Sequence, residues 1–208
     1  MTNNEVGAPS ASVASEVEIN AQPTPNPNAL KFIISKIVIN TDKATFRSAN
    51  ECSEIPLAVN LFKLRGVDQL HFFQNVITVT KFSYIDWIEL EEQIKDTIRL
   101  NIDKHNATFE IFDPEKERRK NLSPELLEIE QILDKTIRPG LQGDGGDIQV
   151  LSFSNNVIMV KYEGACGTCP SSQTGTLEAI KGIMREQLNN PEIEVYAEPS
   201  GTSAQHFY

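Results

Sequence analysis

Cysteine is scarce in this chain. There are three in 208 residues, at positions 52, 166 and 169, too few for a closed disulfide framework, which suggests a reducing compartment. Positive charge is also short: 19 Lys and Arg face 29 Asp and Glu, for a net charge of −10. An acidic chain repels the phosphate backbone, so nucleic acid is not an expected partner. No apolar run approaches the roughly 20 residues that a membrane span requires, which predicts no membrane insertion. The first basic residue is Lys31, so neither a charged signal n-region nor an arginine-rich presequence is read at the start. The expectation is a soluble, cytoplasmic protein. Only three histidines occur, and none is placed as a general base. His71 lies in a strand-like run, His105 near a helix end, and His206 in a polar tail. There is no nucleophile–base pair and no phosphate-cradling loop, and no enzymatic activity is expected.

What is present divides into two halves. Residues 1–22 are small and polar and read as a disordered lead-in. The run P-T-P-N-P-N at Pro23–Asn28 is a stiff, extended entry, because each proline biases its predecessor away from helix. Ala29–Ser35 reads as a strand, which Lys36–Asn40 continues or pairs with. Leu57, Leu61 and Leu64 lie at helical spacing within Pro56–Arg65, and Gly66 ends that segment. Val67–Phe73 and Val76–Lys81 read as a hairpin across Gln74–Asn75. Asp86 suits a helix cap, followed by a stripe of Ile88, Glu91, Ile94, Ile98 and Ile102. A first small α+β domain therefore spans residues 23–112. Residues 113–122 are charged and nearly devoid of apolar side chains, as in a solvated linker.

The second half, residues 123–199, opens with Ser-Pro-Glu, a favourable helix start. Leu126, Ile129, Ile132, Leu133 and Ile137 form its stripe, and Arg138–Gly140 stops it. Gly143–Asp147 reads as a loop. Strands at Ile148–Ser154 and Val157–Glu163 flank Asn155–Asn156, residues that tolerate the left-handed backbone of a tight turn. Leu177, Ile180, Met184 and Leu188 mark a second helix, and Ile193–Glu198 a last strand. The order is α-β-β-α-β with a three-stranded sheet, so the fold class is two small α+β domains. Residues 200–208 read as a disordered tail.

Between the second strand and the second helix stands E-G-A-C-G-T-C-P-S-S, Glu163–Ser172. Cys166 and Cys169 are spaced to share one metal centre or one disulfide. Gly164 and Gly167 allow close backbone approach or a tight turn. Pro170 suits the first turn of the following helix, which puts Cys169 near a helix N-terminus, where thiolates form more readily. Three chemistries remain open. A dithiol–disulfide couple fits locally, but the strand order gives no central parallel βαβ sheet of the thioredoxin kind. Structural zinc wants four ligands, and an iron–sulfur cluster is usually held by four thiolates. Two thiols per chain become four if a two-fold axis brings two chains together at the motif. Thr168, Ser171 and Ser172 could hydrogen-bond sulfur or cap the helix. Cys52 reads as a small buried hydrophobe.

D-G-G-D at Asp144–Asp147, G-A-C-G-T-C-P-S-S at Gly164–Ser172 and T-L-E-A-I at Thr176–Ile180 together resemble the C-terminal domain of NifU and the Nfu proteins. P-N-P-N-A-L-K-F at Pro25–Phe32 resembles the opening of the Nfu N-terminal domain. The resemblance implies an iron–sulfur cluster scaffold or carrier. It implies that Cys166 and Cys169, as cofactor-binding and metal-ligating residues, hold a [4Fe–4S] cluster jointly with the same pair in a second chain. Upstream cluster-assembly proteins would then be donors and apo iron–sulfur enzymes recipients. A thiol–disulfide oxidoreductase and a zinc-binding interaction module are the competing readings. The role of the N-terminal domain is not read from the sequence.

Overall fold

A computed structural model describes residues 17–41, 43–109, 121–168 and 170–198. In the N-terminal half, β1 (Ile19–Pro23), β2 (Ala29–Ile34), β3 (Lys43–Phe46), β4 (Val67–Phe73) and β5 (Val76–Lys81) form one antiparallel sheet in the order β1-β2-β5-β4-β3. Helices α1 (Pro56–Phe62) and α2 (Trp87–Ile102) cover one face. Strand alternation decides which residues go there. Phe32, Ile34, Ala44, Phe46, Leu70, Phe72, Ile77 and Val79 point into a core with Leu57, Leu61, Leu90, Ile94, Ile98 and Ile102. Each such Leu, Ile, Val or Phe side chain withdrawn from water stabilises the fold by about 1.5–3 kcal/mol. Cys52 lies in the same core, 2% exposed, and burial pushes its thiol up to about 11, as expected of an inert hydrophobe.

Several expectations change here. The first domain starts earlier than residue 23, because Ile19–Gln22 pair with Lys31–Ile34 in β1 and are not part of a lead-in. Lys36–Asn40 is not a strand; the pairing partner is Lys43–Phe46, an edge strand on β4. In α2 the buried stripe is Leu90, Ile94, Ile98 and Ile102, whereas Ile88 is 86% exposed. The hairpin across Gln74–Asn75 is present, with Gln74 at φ 52°.

In the C-terminal half, α3 (Pro124–Thr136) is capped by the Ser123 hydroxyl, which accepts from the Leu126 N–H at 3.3 Å. The chain does not leave helical geometry at Arg138–Gly140 as expected. It continues as the short helix α4 (Arg138–Gly143). Strands β6 (Gly146–Ser154) and β7 (Val157–Gly164) follow, then α5 (Pro170–Gln187) and β8 (Glu194–Ala197). Asn155 and Asn156 sit at φ 50° and 63°, the left-handed pair a two-residue hairpin requires. The sheet order is β6-β7-β8, with β8 parallel to β7. One βαβ unit therefore exists, β7-α5-β8, at the edge of a sheet in which no central parallel βαβ arrangement was expected. It stays a single unit because β6, the other neighbour of β7, is antiparallel. Ile129 and Leu133 of α3, and Ile180 and Met184 of α5, pack on Ile148, Val150, Ile158 and Val160 of the sheet. The charged linker at 113–122 falls almost wholly, and the 200–208 tail wholly, outside the described residues, as does the lead-in through residue 16.

Candidate functional site

The site is built where the start of β6 lies beside the end of β7. Gly146 pairs with Gly164 and Asp147 with Glu163. Beyond Gly164 the chain makes one tight 3-10 turn, Ala165–Thr168, before α5 begins at Pro170. Cys166 stands on this turn and is 5% exposed, packed into the C-terminal core. Cys169 lies outside the described residues, as do the side chains of Thr168, Ser171 and Ser172.

Glycine is required at two positions here. Gly164 has φ +60°, and a Cβ on it would lie 2.5 Å from the Gly145 carbonyl oxygen and 2.9 Å from the Gly146 Cα. A Cβ on Gly146 would lie 2.4 Å from the Cys166 sulfur and 2.9 Å from the Glu163 carbonyl oxygen. The bare backbone of β6 is thus what lets the Cys166 sulfur seat where it does. Gly146→Ala is expected to cost about 1–3 kcal/mol through overpacking. Urea denaturation should show a lower midpoint, and an unchanged midpoint would mean that the turn shifts freely.

The acidic residues beside the turn are held ionised. Asp147, 1% exposed, accepts from Arg138 Nε at 3.1 Å and from the Ile148 N–H at 2.6 Å. Arg138 also donates to Glu130 at 2.6 Å and to the Ile148 carbonyl at 3.0 Å, and it pairs with Asp134. Lys43, from β3, lies 3.0 Å from Asp147 and 2.6 Å from Glu163. The Lys43–Glu163 contact is a close ion pair rather than a well-aligned hydrogen bond. Burial alone would pull the Lys43 pKa down, but Glu163 and then Asp147 reverse this and leave it raised. Burial would likewise raise both carboxylates, and Lys43 holds both below the usual carboxylate range. Tyr162 sits near Cys166; burial first, and the cysteine second, push its phenol well above the ordinary tyrosine value.

Lys43 belongs to the N-terminal half, and it is one of several such contacts. Asn26 Nδ2 donates to the Ala165 carbonyl at 2.9 Å, and Gln69 Nε2 to the Gly164 carbonyl at 3.0 Å. Lys31 Nζ donates to the Gly143 carbonyl at 2.5 Å. The turns at 143–147 and 163–167 therefore rest on the sheet face that α1 and α2 leave open. Of the residues expected from sequence, Cys166 is placed on a glycine-lined turn that leads into a helix. His71 is brought beside that turn, while His105 is not: its ring bonds the Val38 carbonyl at 2.6 Å in the N-terminal half. Sequence reasoning missed Asn26, Lys43, Gln69 and Arg138. Among the described residues, no group of three or more His, Cys, Asp or Glu is arranged to hold a metal ion.

Residues 19–105 match the family described as "Scaffold protein Nfu/NifU N terminal", and residues 129–196 match the "NifU-like domain". The human protein named "NFU1 iron-sulfur cluster scaffold homolog, mitochondrial" is 34% identical over 178 residues, which cover 85% of this chain and 69% of that one. The chain belongs to the Nfu/NifU scaffold family. The protein of the same name from Drosophila persimilis is 32% identical, and the match spans 85% of this chain but 63% of the relative's length. Among solved structures, the NifU-like protein from Saccharomyces cerevisiae is 20% identical over 50% of this chain and 93% of that chain, with a TM-score of 0.42, too low to carry weight for the fold. Both matched relatives are named mitochondrial. Among the described residues no helix is long and apolar enough to cross a membrane.

Proposed function

We propose that this Nfu/NifU-family protein is a carrier of [4Fe–4S] clusters, that Cys166 and Cys169 of two chains share one cluster, and that the cluster is passed to apo-proteins. The observation that carries the reading is Cys166 on a glycine-lined turn between β7 and α5, with a second cysteine three residues on in sequence. Thiolate sulfur is the usual ligand of iron–sulfur clusters. The 18-residue helix α5 starts at Pro170, so its positive end stands beside the motif and offsets part of a cluster's negative charge. Release fits the same arrangement. A cluster held by two thiolates per chain can leave by stepwise thiolate exchange or by separation of the chains, where four ligands on one rigid chain would retain it. Upstream assembly proteins are the proposed donors. The cytoplasmic location rests on the sequence reading alone, and the relatives' names point elsewhere.

Anaerobic reconstitution followed by iron and sulfide assay tests the ligand set. Cys166→Ser and Cys169→Ser should each abolish cluster binding, whereas Cys52→Ser, altered in the N-terminal core, should bind as the parent does. Full occupancy in either motif variant would refute the assignment. A colourless parent protein after reconstitution would point instead to zinc or to a dithiol.

A further inference from the structure

The N-terminal sheet has two unlike faces. One is the apolar core. The other carries, in register across four strands, the row Thr45–His71–Thr78–Lys31. Gln69 and Thr80 form the next row on one side, and Lys43, paired with Phe73, lies on the other side of the first row. On an isolated domain such a polar face would be wet, as one face of an antiparallel sheet often is. Here Gln69, His71, Thr78 and Thr80 are all buried. What covers them is the pair of turns that present Cys166. A Cβ on Gly145 would lie 2.7 Å from Thr78 Oγ1, and one on Gly164 would lie 3.1 Å from the His71 ring. Asn26 and Gln69 each take one carbonyl of the Gly164–Ala165 peptides, and Lys43 closes the contact with Glu163 and Asp147.

Such a surface is suited to parting. It is held by side-chain hydrogen bonds and ion pairs, each of which water can replace, and interfaces of this polar kind between domains favour relative motion. It also conflicts with cluster sharing. In this arrangement Cys166 is 5% exposed and the peptides just before it are occupied by the chain's own N-terminal half. The sulfur itself packs in the C-terminal core against Gly146, so a second chain reaches it only if the turn moves.

We infer that the N-terminal half is a releasable latch on the ligand turn: docked, it pins the Gly164–Ala165 peptides and so keeps Cys166 seated in the C-terminal core, and undocked, it lets the turn move and frees Cys166 for a cluster shared with a second chain. The inference rests on the carrier reading for its purpose, but the occlusion itself is measurable without any cluster.

The test uses the reduced, metal-free full chain and N-ethylmaleimide, with labelling followed separately at the Cys52 and Cys166 peptides. Cys166 in the parent should react slowly. The double variant Asn26→Ala/Gln69→Ala, and separately Lys43→Met, should react at Cys166 on the order of tenfold faster or more, because each raises the population of the open form. Cys52 is the internal control for folding, since it lies in the N-terminal core and should stay slow in all three proteins. Equal Cys166 rates in parent and variants, with Cys52 protected, would overturn the latch. Fast Cys166 labelling in the parent would do so as well. If Lys43→Met also exposes Cys52, that half has unfolded and the milder double variant decides. Cluster content of Cys166→Ser fails or holds independently, so loss of the carrier reading and loss of the latch give different results.

Discussion

Arg138→Met is expected to destabilise the C-terminal half by about 3–5 kcal/mol, the usual cost of leaving a buried charge without its partner. The Arg138 side chain is 8% exposed, and it faces Glu130 at 7% and Asp147 at 1%. Removing the guanidinium leaves two desolvated carboxylates on one side of β6 and strips a donor from the Ile148 carbonyl. Lys43 still neutralises Asp147 from the other half, but Glu130 keeps only the Val150 N–H, at 3.4 Å. Urea unfolding at neutral pH, followed by a probe in each half, should show the C-terminal transition moved to low denaturant. Adding Glu130→Gln to the variant should recover part of the loss, because it discharges the carboxylate left unpaired. A single Arg138→Met change with no effect on the midpoint would mean that water reaches this cluster.

The Arg138 cluster also shows where the sequence stops being legible. Helix stripes and strand alternation are local signals, so the long elements were readable: α2, α3, α5, the β4–β5 hairpin and the Asn155–Asn156 turn. The missed strands are both at sheet edges. β1 (I-N-A-Q-P) and β3 (K-A-T-F) are short and polar, and their apolar positions bury only small or single side chains; Ala44 and Phe46 are the whole inward face of β3. Ile88 falls outside the stripe because two three-residue steps, 88–91–94, drift about 120° round the helix, whereas Leu90 keeps the four-residue step of Ile94, Ile98 and Ile102. Glu130 is a buried charge on an amphipathic helix. Its partner lies eight residues on, across the α3–α4 junction, which no periodicity reveals. The turn that carries Cys166 was legible because Gly164, Gly167 and Pro170 mark a tight turn into a helix. The contacts that hold this turn from the other half were not, because Asn26, Lys43 and Gln69 have no common sequence pattern. They meet the turn only where the two sheets come together. Asp147, the last residue of D-G-G-D, joins both networks, bonding Arg138 within its own half and Lys43 across the junction.

Holo-protein is expected to run as a dimer with one four-iron cluster per two chains. Each chain offers only Cys166 and Cys169 at the motif, Cys52 being buried in the other core, and a four-iron cluster usually takes four thiolates. A net charge of −10 on each chain opposes association, so the contact should depend on the metal. Native mass spectrometry of anaerobic samples should show a species at twice the 23.2 kDa chain mass carrying one cluster. Chelation or exposure to oxygen should return it to the chain mass. The latch makes a second demand on the same experiment. If docking of the N-terminal half competes with sharing, the Asn26→Ala/Gln69→Ala variant should reach the dimer faster during reconstitution than the parent, with the same final stoichiometry. A monomer holding a complete four-iron cluster would overturn the shared site and require two further ligands from the same chain.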